Sequence, residues 1–194
     1  TLSQSFLDYA AYTIQRRAIP DVRDMLKFST RQLLHAAWHE GVTHNKDFKK
    51  GIKLNGIATF SYCHGDSSSF GNYVRMAKPF CNNVCLMEAQ GNAGTLMNPD
   101  DHAAPRYLEL REAEITDILF QGLKKNAITE WEDTYDNLNK FPLVLPSIGY
   151  WNIVNPCQGI ATSCATSTPG FNLREVNAAI IKHEGVDSTL CKNC

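Results

Sequence analysis

An arginine followed by a tyrosine, Arg106-Tyr107, is the residue pair in this chain best suited to covalent chemistry. A phenol oxygen can attack a phosphorus atom and later leave again, so a phosphotyrosine link is reversible. The hydroxyl is protonated at neutral pH and therefore needs a nearby cation. The guanidinium of Arg106 is always charged and can hold a phosphate oxygen. The pair is suited to phosphoryl transfer, but the dipeptide taken alone is more typical of an amphipathic tyrosine at a helix start.

Seven cysteines offer a second kind of chemistry. Cys81 and Cys85 are spaced C-x3-C, Cys191 and Cys194 are spaced C-x2-C, and such pairs can be halves of a zinc site. The two pairs lie more than 100 residues apart, however, and the odd number without a repeating spacing predicts reduced thiols in a cytosolic compartment. No metal site is predicted, and the acidic pair at 100–101 is interpreted as a solvated turn.

Length and composition predict a chain with a sizeable core. Of 194 residues, 43% are hydrophobic and 20% are charged, which excludes disorder of the whole chain. No stretch approaches eighteen apolar residues, so no membrane span is expected, and the N-terminus does not resemble a signal peptide. Residues 1–80 hold eleven Lys and Arg against six Asp and Glu (+5), and residues 81–194 hold eight against fourteen (−6). The basic half weakly favours a polyanionic partner.

Hydrophobic periodicity predicts helices through the first half. The first predicted helix has an apolar stripe from Phe6 to Ile14. The second is capped by Ser29 or Thr30, ends at Gly41 and has Leu33, Leu34, Ala37 and Trp38 as its apolar face. The others cover residues 47–60, the segment from Gly65-Asp66-Ser67 to Pro79, and a helix around Ile115 and Leu119. Between the last two, a strand at 84–87 and a tight glycine turn at 90–94 suggest a β-wing. Beyond Trp131, short apolar runs cut by prolines indicate strands, turns and a domain boundary.

The order of several short segments along the chain is more specific than any one motif. They are residues 5–10 (SFLDYA), 17–24 (RAIPDVRD), 64–67 (HGDS), 74–80 (VRMAKPF), 90–92 (QGN), 106–107 (RY), 145–147 (LPS), 159–161 (GIA) with 165–166 (AT), and 172–176 (NLREV). With these segments the chain resembles the DNA breakage-reunion subunit of type IIA topoisomerases, the gyrase A and topoisomerase IV family. The resemblance covers nearly the whole chain.

The resemblance implies an α+β, mainly helical fold. A winged-helix DNA-gate domain would occupy residues 1–128, and residues 129–194 would begin a mixed α/β tower domain. It also implies an isomerase that couples a transient double-strand break to ATP hydrolysis. Double-stranded DNA, a second copy of the chain and a TOPRIM/ATPase partner would be bound, with Mg²⁺ and ATP held by that partner. The expected location is the cytoplasm of a bacterial cell or a virus-infected host cell.

The resemblance also implies roles for matching residues. Tyr107 would form a 5′-phosphotyrosyl link, Arg106 would stabilise the pentavalent phosphate, Arg17 would work with the partner copy's nucleophile, and His64 would lie beside the scissile phosphate. The residues expected to contact DNA are Lys27, Arg31, Ser67, Arg75 and Ile160. Among these, Ile160 matches an isoleucine that wedges between base pairs, and Ser67 matches a serine that quinolones approach.

Departures from the family pattern favour a divergent member, such as one carried by a virus or a mobile element. Gly71 stands where quinolone-sensitive enzymes have an acidic residue, Tyr62-Cys63 replaces His-Pro, and Ala93 replaces an aromatic residue. Family subunits continue beyond the length of this chain, so this piece alone is expected to bind DNA weakly and to cleave poorly. Two alternatives remain, a winged-helix DNA-binding module without catalysis and a metal protein organised by its cysteines.

Overall fold

The fold is taken from a computed structural model that describes residues 2–124, 130–145, 153–162 and 164–183. The helices are α1 (Leu2–Thr13), α2 (Phe28–His39), α3 (Gly51–Phe60), α4 (Asp66–Met76), α5 (Glu114–Leu119), α6 (Gln121–Lys124) and α7 (Leu173–His183). The strands are β1 (Lys49–Lys50), β2 (Met87–Gln90), β3 (Glu109–Glu112), β4 (Trp131–Asp133), β5 (Lys140–Pro142), β6 (Cys157–Ala161) and β7 (Cys164–Thr168). The predicted mixture of helices and strands is confirmed.

Helix α1 continues directly into one turn of π-helix, Ile14–Ala18, in which the amide of Ile19 donates to the carbonyl of Ile14. The predicted helix at the N-terminus is confirmed, but its apolar stripe does not face the core. Phe6 and Leu7 are both more than half exposed. Single π-turns inserted in helices often mark functional positions, because the extra residue redirects the side chains of that turn.

Helix α2 carries the predicted buried face, since Leu33, Leu34 and Ala37 are all buried. The predicted cap is wrong: the helix begins at Phe28, and the extended backbone of Lys27 precedes it without a side-chain cap. The predicted end is confirmed, because Gly41 has φ +68° and donates its amide to Trp38. A left-handed residue at this position is usually glycine, which adopts positive φ without steric cost.

Helices α3 and α4 pack against each other and against α2. Helix α3 begins at Gly51 rather than at residue 47, because Lys49 and Lys50 pair with β3 instead. Helix α4 begins within the predicted Gly65-Asp66-Ser67 segment. Its Tyr73 is fully buried and donates its hydroxyl to the carbonyl of Leu33, 2.9 Å away, which joins α4 to α2.

The first sheet is antiparallel with the order β1-β3-β2. The predicted strand at 84–87 lies slightly later, at Met87–Gln90, and the predicted tight turn after it is wrong. Residues 91–108 form a long connection that folds on itself. The buried side chain of Lys78, which is not part of this connection, donates to the carbonyl of Pro99 at 2.5 Å. At Gly94, which has φ +96°, a Cβ atom would lie 2.5 Å from the Pro99 oxygen.

The main core fills the space between α2, α3, α4 and the first sheet. Its largest fully buried apolar side chains are Leu33, Leu34, Leu54, Tyr73, Met87, Leu108, Leu110, Phe120 and Leu145. Two further hairpins, β4-β5 and β6-β7, pack against this body. Within the described ranges, no helix is long and apolar enough to cross a membrane.

The second hairpin is tied to the N-terminal segment. Thr166 of β7 donates its hydroxyl to the carbonyl of Ala18, 2.6 Å away, and the backbone of Gly159 in β6 lies against the same residue. Just before β6, Asn155 donates to the carbonyl of Val84 at 2.6 Å and accepts from the amide of Val84 at 2.9 Å. Residues on both sides of the predicted boundary at 128 therefore contact one another directly.

Candidate functional site

The candidate nucleophile lies on a turn at the end of the long connection. Tyr107 is 64% exposed, while its neighbour Leu108 is fully buried and anchors the turn in the core. The amides of Tyr107 and Leu108 both donate to the carbonyl of Ala104, at 2.9 and 3.2 Å. The phenol of Tyr107 is therefore exposed to solvent, while the backbone that carries it is fixed by these hydrogen bonds and by the buried side chain of Leu108.

Arg106 lies beside the tyrosine, with its guanidinium carbon 4.9 Å from the centre of the Tyr107 ring. Both side chains are exposed. A cation over an aromatic ring is attracted to it, which keeps the positive charge close to the phenol. The arrangement can present a nucleophilic oxygen and a phosphate-binding cation to the same group.

His64 and Arg17 form a second group. The Nε2 atom of His64 lies 2.7 Å from Oε1 of Gln32, and because an amide oxygen only accepts, Nε2 carries the proton and Nδ1 is left as an acceptor. Burial lowers the pKa of His64, and the positive charge of Arg17 lowers it further. The histidine is therefore a neutral imidazole at neutral pH, close to an exposed arginine on the π-turn.

The two groups are not joined within one copy of the chain. Among the described residues, no hydrogen bond, ion pair or ring contact links Tyr107 or Arg106 to Arg17 or His64. The sequence-based expectation that Arg17 serves the partner copy's nucleophile is compatible with this separation and stays a prediction.

A cavity of about 320 Å³ lies between α4, the turn before α2 and the β6-β7 hairpin. Its lining includes Lys27, Arg75, Cys157 and Ile160, so it gathers three of the predicted DNA-contacting residues. The ammonium of Lys27 donates to the carbonyl of Gln158, 2.7 Å away, and Arg75 is exposed. Burial raises the pKa of the Cys157 thiol, and the charges of Lys27 and Arg75 oppose that rise.

Ile160 and Ser67 are both accessible. Ile160 is 80% exposed in β6, opposite Ala165 of β7, so the hairpin projects a large apolar side chain into solvent. Ser67 is exposed on the first turn of α4, the same helix that carries Arg75. Because both side chains are on the surface, they are accessible to DNA, and the predicted contacts stay predictions.

The burial of Arg31 disfavours its predicted contact with DNA, which stays a prediction. Its side chain is 3% exposed, and it donates to Asp24 from Nε at 2.5 Å and from a terminal nitrogen at 2.8 Å. The Asp24 carboxylate also accepts the amides of Leu26 and Leu145, both at 3.0 Å. The Arg31 guanidinium therefore has a structural role, since separating it from Asp24 would leave an unpaired buried charge.

The cysteines and acidic residues do not assemble a metal site in the part of the chain that the structure describes, where no three His, Cys, Asp or Glu side chains form a group able to hold a metal. Burial raises the pKa of Cys85, and the neighbouring Cys81 raises it further. Cys191 and Cys194 lie outside the described residues, so the four-cysteine zinc hypothesis stays open. Asp100 and Asp101 are exposed on the long connection.

Three residues that shape these groups were missed by sequence reasoning. Gln32 fixes the tautomer of His64, Asp24 buries Arg31, and Gly159 brings the hairpin against the π-turn. Asp24 and Gly159 carried a signal, as parts of the segments at 17–24 and 159–161, and Gln32 carried none.

Comparison with known proteins decides the family. A family model for the DNA gyrase/topoisomerase IV A subunit matches residues 17–192. The chain belongs to this family. It is 41% identical over 176 residues to the DNA gyrase A subunit of Escherichia coli K12, covering 90% of this chain and 20% of that protein. The corresponding gyrase protein of Pseudomonas aeruginosa PAO1 is 39% identical over 176 residues, covering 90% of this chain and 19% of that protein.

A third member of the gyrase A family extends the match. The DNA gyrase A subunit of Granulibacter bethesdensis is 38% identical over 192 residues, covering 97% of this chain and 20% of that protein. The chain thus spans about a fifth of the length of the curated relatives that it matches.

Proposed function

We propose that this chain is the DNA-cleaving and rejoining part of a type IIA topoisomerase, an ATP-dependent isomerase. The observation that carries the proposal is the exposed Arg106-Tyr107 pair on an anchored turn, in a chain of the gyrase A and topoisomerase IV family. In this proposal, residues 1–128 form a winged-helix DNA gate. Residues 129–194 begin a tower domain.

The proposed reaction is a reversible phosphoryl transfer. The Tyr107 oxygen forms a bond to a backbone phosphorus, and its proton passes to solvent. The bond from that phosphorus to the 3′ oxygen breaks, and the 3′ oxygen takes up a proton to become a free hydroxyl. Rejoining is the same step in reverse. Arg106 neutralises the non-bridging oxygens as charge develops on them, which is the main contribution a protein makes to such transfers.

The proposed active site is shared between two copies of the chain. Arg17 and His64 form one group, Arg106 and Tyr107 form another, and no described contact joins the groups within a copy. We infer that a homodimer brings Arg17 and His64 of one copy to Tyr107 of its partner. The neutral imidazole of His64, with Nδ1 free of its proton, can accept a hydrogen bond beside the scissile phosphate.

The proposed DNA-binding surface surrounds the cavity at Lys27. Lys27 and Arg75 would contact phosphates, Ser67 would lie beside the cleavage position, and Ile160 would insert between base pairs. Inserting an apolar wedge costs a few kcal/mol of base stacking, which the contacts of the bent DNA repay. The 80% exposure of Ile160 leaves its side chain accessible for this function.

The proposed partner is a TOPRIM/ATPase protein that holds Mg²⁺ and ATP. The described residues offer no group that fits a metal ion, and Asp100 and Asp101 are exposed rather than convergent. When bound, Mg²⁺ would supply Lewis acidity to the phosphate. No step assigned to this chain passes through it, and the expected cytoplasmic location follows from the same proposal.

The rival function is a winged-helix DNA-binding module that lacks catalysis. The test assembles the native protein with its TOPRIM/ATPase partner and Mg²⁺, adds supercoiled plasmid and stops the reaction with SDS. We expect protein-linked linear DNA from the wild type and from Tyr135→Phe, an exposed control, but none from Tyr107→Phe. A folded, DNA-binding complex that forms no adduct would leave the rival as the better account.

A further inference from the structure

The turn that carries Arg106 and Tyr107 rests on the first residues of α3. The amide of Gly51 donates to the carbonyl of Leu108 at 2.8 Å, and the amide of Ile52 donates to the carbonyl of Pro105 at 2.9 Å. The first amides of a helix have no partners inside the helix. The carbonyls of Pro105 and Leu108 serve as the partners of these two amides. They lie directly before and after the Arg106-Tyr107 pair.

The chain on either side of the turn is also held. Lys50 pairs with Glu109 in the sheet, and its ammonium lies 2.6 Å from the Glu109 carboxylate. On the other side, the amide of Ala103 donates to the carbonyl of Asn92 at 2.9 Å. The two amides of α3 therefore fix the turn from outside, in addition to the hydrogen bonds that Tyr107 and Leu108 donate to Ala104 within it.

Gly51 sits in a space that has no room for a side chain. A Cβ atom there would lie 2.7 Å from Cε2 of Phe70, 3.2 Å from the Pro105 oxygen and 3.3 Å from the Leu108 oxygen. Phe70 is 3% exposed, and its ring packs edge-on against His102 with centroids 5.3 Å apart, so it cannot swing aside freely. An added methyl group would therefore press on the two carbonyls that flank the nucleophile.

We propose that Gly51 is a positioning residue for Tyr107: the absence of a side chain lets the start of α3 hold the carbonyls of Pro105 and Leu108, which sets where the phenol oxygen points. The proposal rests on the proposed function of Tyr107 as the nucleophile. Displacements of about 1 Å can cost about 100-fold in rate, so the expected effect of a few tenths of an ångström is about tenfold.

The test compares Gly51→Ala with Gly56→Ala in the native protein assembled with its TOPRIM/ATPase partner. Gly56 lies in the same helix, and a Cβ atom there would meet nothing within 4 Å. We expect Gly51→Ala to slow single-turnover DNA cleavage about tenfold at saturating DNA, with DNA affinity within about twofold of wild type. Gly56→Ala should change neither. Adding Phe70→Leu to Gly51→Ala removes the nearest atom and should restore part of the rate.

A second variant and a second readout keep the test independent of folding defects and of the proposed reaction. Ile52→Pro, in the first turn of α3, removes the amide that donates to Pro105, and it should also slow cleavage. Amide hydrogen exchange should show protected amides at Gly51 and Ile52 in the wild type, and faster exchange at residue 52 in Gly51→Ala.

Each outcome has a separate meaning. Wild-type cleavage rates in folded Gly51→Ala and Ile52→Pro, or unprotected amides in the wild type, would overturn the positioning proposal. If the wild type forms no Tyr107-dependent adduct, the proposed function fails. In that case the exchange data still decide whether Gly51 fixes the turn.

Discussion

The backbone of Gly159 lies in direct contact with the backbone of Ala18, and the nearest approach to a Cβ atom at 159 would be the Ala18 carbonyl oxygen. This contact places Ile160, the next residue along β6, beside the π-turn that carries Arg17. The predicted DNA wedge and the predicted catalytic arginine are therefore parts of one packed unit, although the two residues lie far apart in sequence.

Gly159→Ala should consequently destabilise the protein. The new methyl group would overlap backbone atoms that cannot rotate away, so we expect the free energy of unfolding to fall by about 2 kcal/mol, within the usual range for overpacking. Urea denaturation measures the change. Gly71→Ala is the matched control, because a Cβ atom at that helical glycine meets nothing within 4 Å and should be neutral or stabilising. Equal stability of the two variants would contradict the packing described here.

Arg31 and Lys27 should give opposite results when each is replaced. Arg31→Gln would remove the charged partner of the buried Asp24 carboxylate and should lower the free energy of unfolding by about 3 kcal/mol. Lys27→Ala should leave stability nearly unchanged but weaken DNA binding and reduce the salt dependence by about one unit of slope. Denaturation and DNA titrations at several salt concentrations separate the two. A stable Arg31→Gln protein with a reduced salt slope would restore Arg31 as a DNA contact.

Stability should fall as the pH is lowered below neutral. Burial, with a smaller contribution from the charge of His39, lowers the pKa of His35 from 6.5 to about 4. The Nδ1 atom of His35 lies 3.0 Å from the Tyr62 hydroxyl. Because the folded pKa lies below the unfolded value, the stabilisation is present above about pH 6.5 and is lost as the pH falls toward 4. Between pH 7 and pH 5 we expect a loss of about 2 kcal/mol, since one proton corresponds to about 1.4 kcal/mol per pH unit.

The variant His35→Gln should flatten this pH dependence, and His183→Gln, at an exposed histidine, should not. Urea denaturation at pH 7, 6 and 5 measures both. If His35→Gln keeps the full wild-type pH dependence, the loss must come from another group.

Ile160→Ala should impair DNA bending without loss of stability. The side chain is 80% exposed, so its removal leaves no cavity, but it would remove the apolar wedge. Fluorescence energy transfer between the ends of a short duplex should report less bending, with DNA affinity reduced about tenfold. Val22→Ala serves as the control, because Val22 is similarly exposed at 79% and lies on another segment. Unchanged bending in Ile160→Ala would remove the residue from the DNA interface.

Much of the helical framework could be predicted because it depends on local pattern. The buried face of α2 follows from apolar spacing, and Gly41 ends that helix because its backbone is left-handed. The start of α2 could not be predicted, since Lys27 caps it with backbone geometry alone. The connection 91–108 was also missed, because contacts such as Lys78 to Pro99 join residues that no local pattern links.

The candidate site shows the same division. The Arg106-Tyr107 pair was found through the resemblance, whereas the dipeptide alone would indicate nothing. The structural function of Arg31 depends on Asp24 folding back across a turn in which Met25 has φ +56°, a conformation that is uncommon for a side chain of that size. The pairing of Gln32 with His64 joins two helices and has no signal in the sequence.

In the proposed reaction Tyr107 forms the covalent bond to DNA, and mass spectrometry of the trapped adduct tests this most directly. The native protein with its partner and Mg²⁺ is stopped on DNA with SDS, treated with nuclease and digested with trypsin. Trypsin cuts after Arg106 and Arg111, so the account predicts a peptide covering residues 107–111 that carries a nucleotide on Tyr107. A nucleotide on any of the other six tyrosines would contradict it.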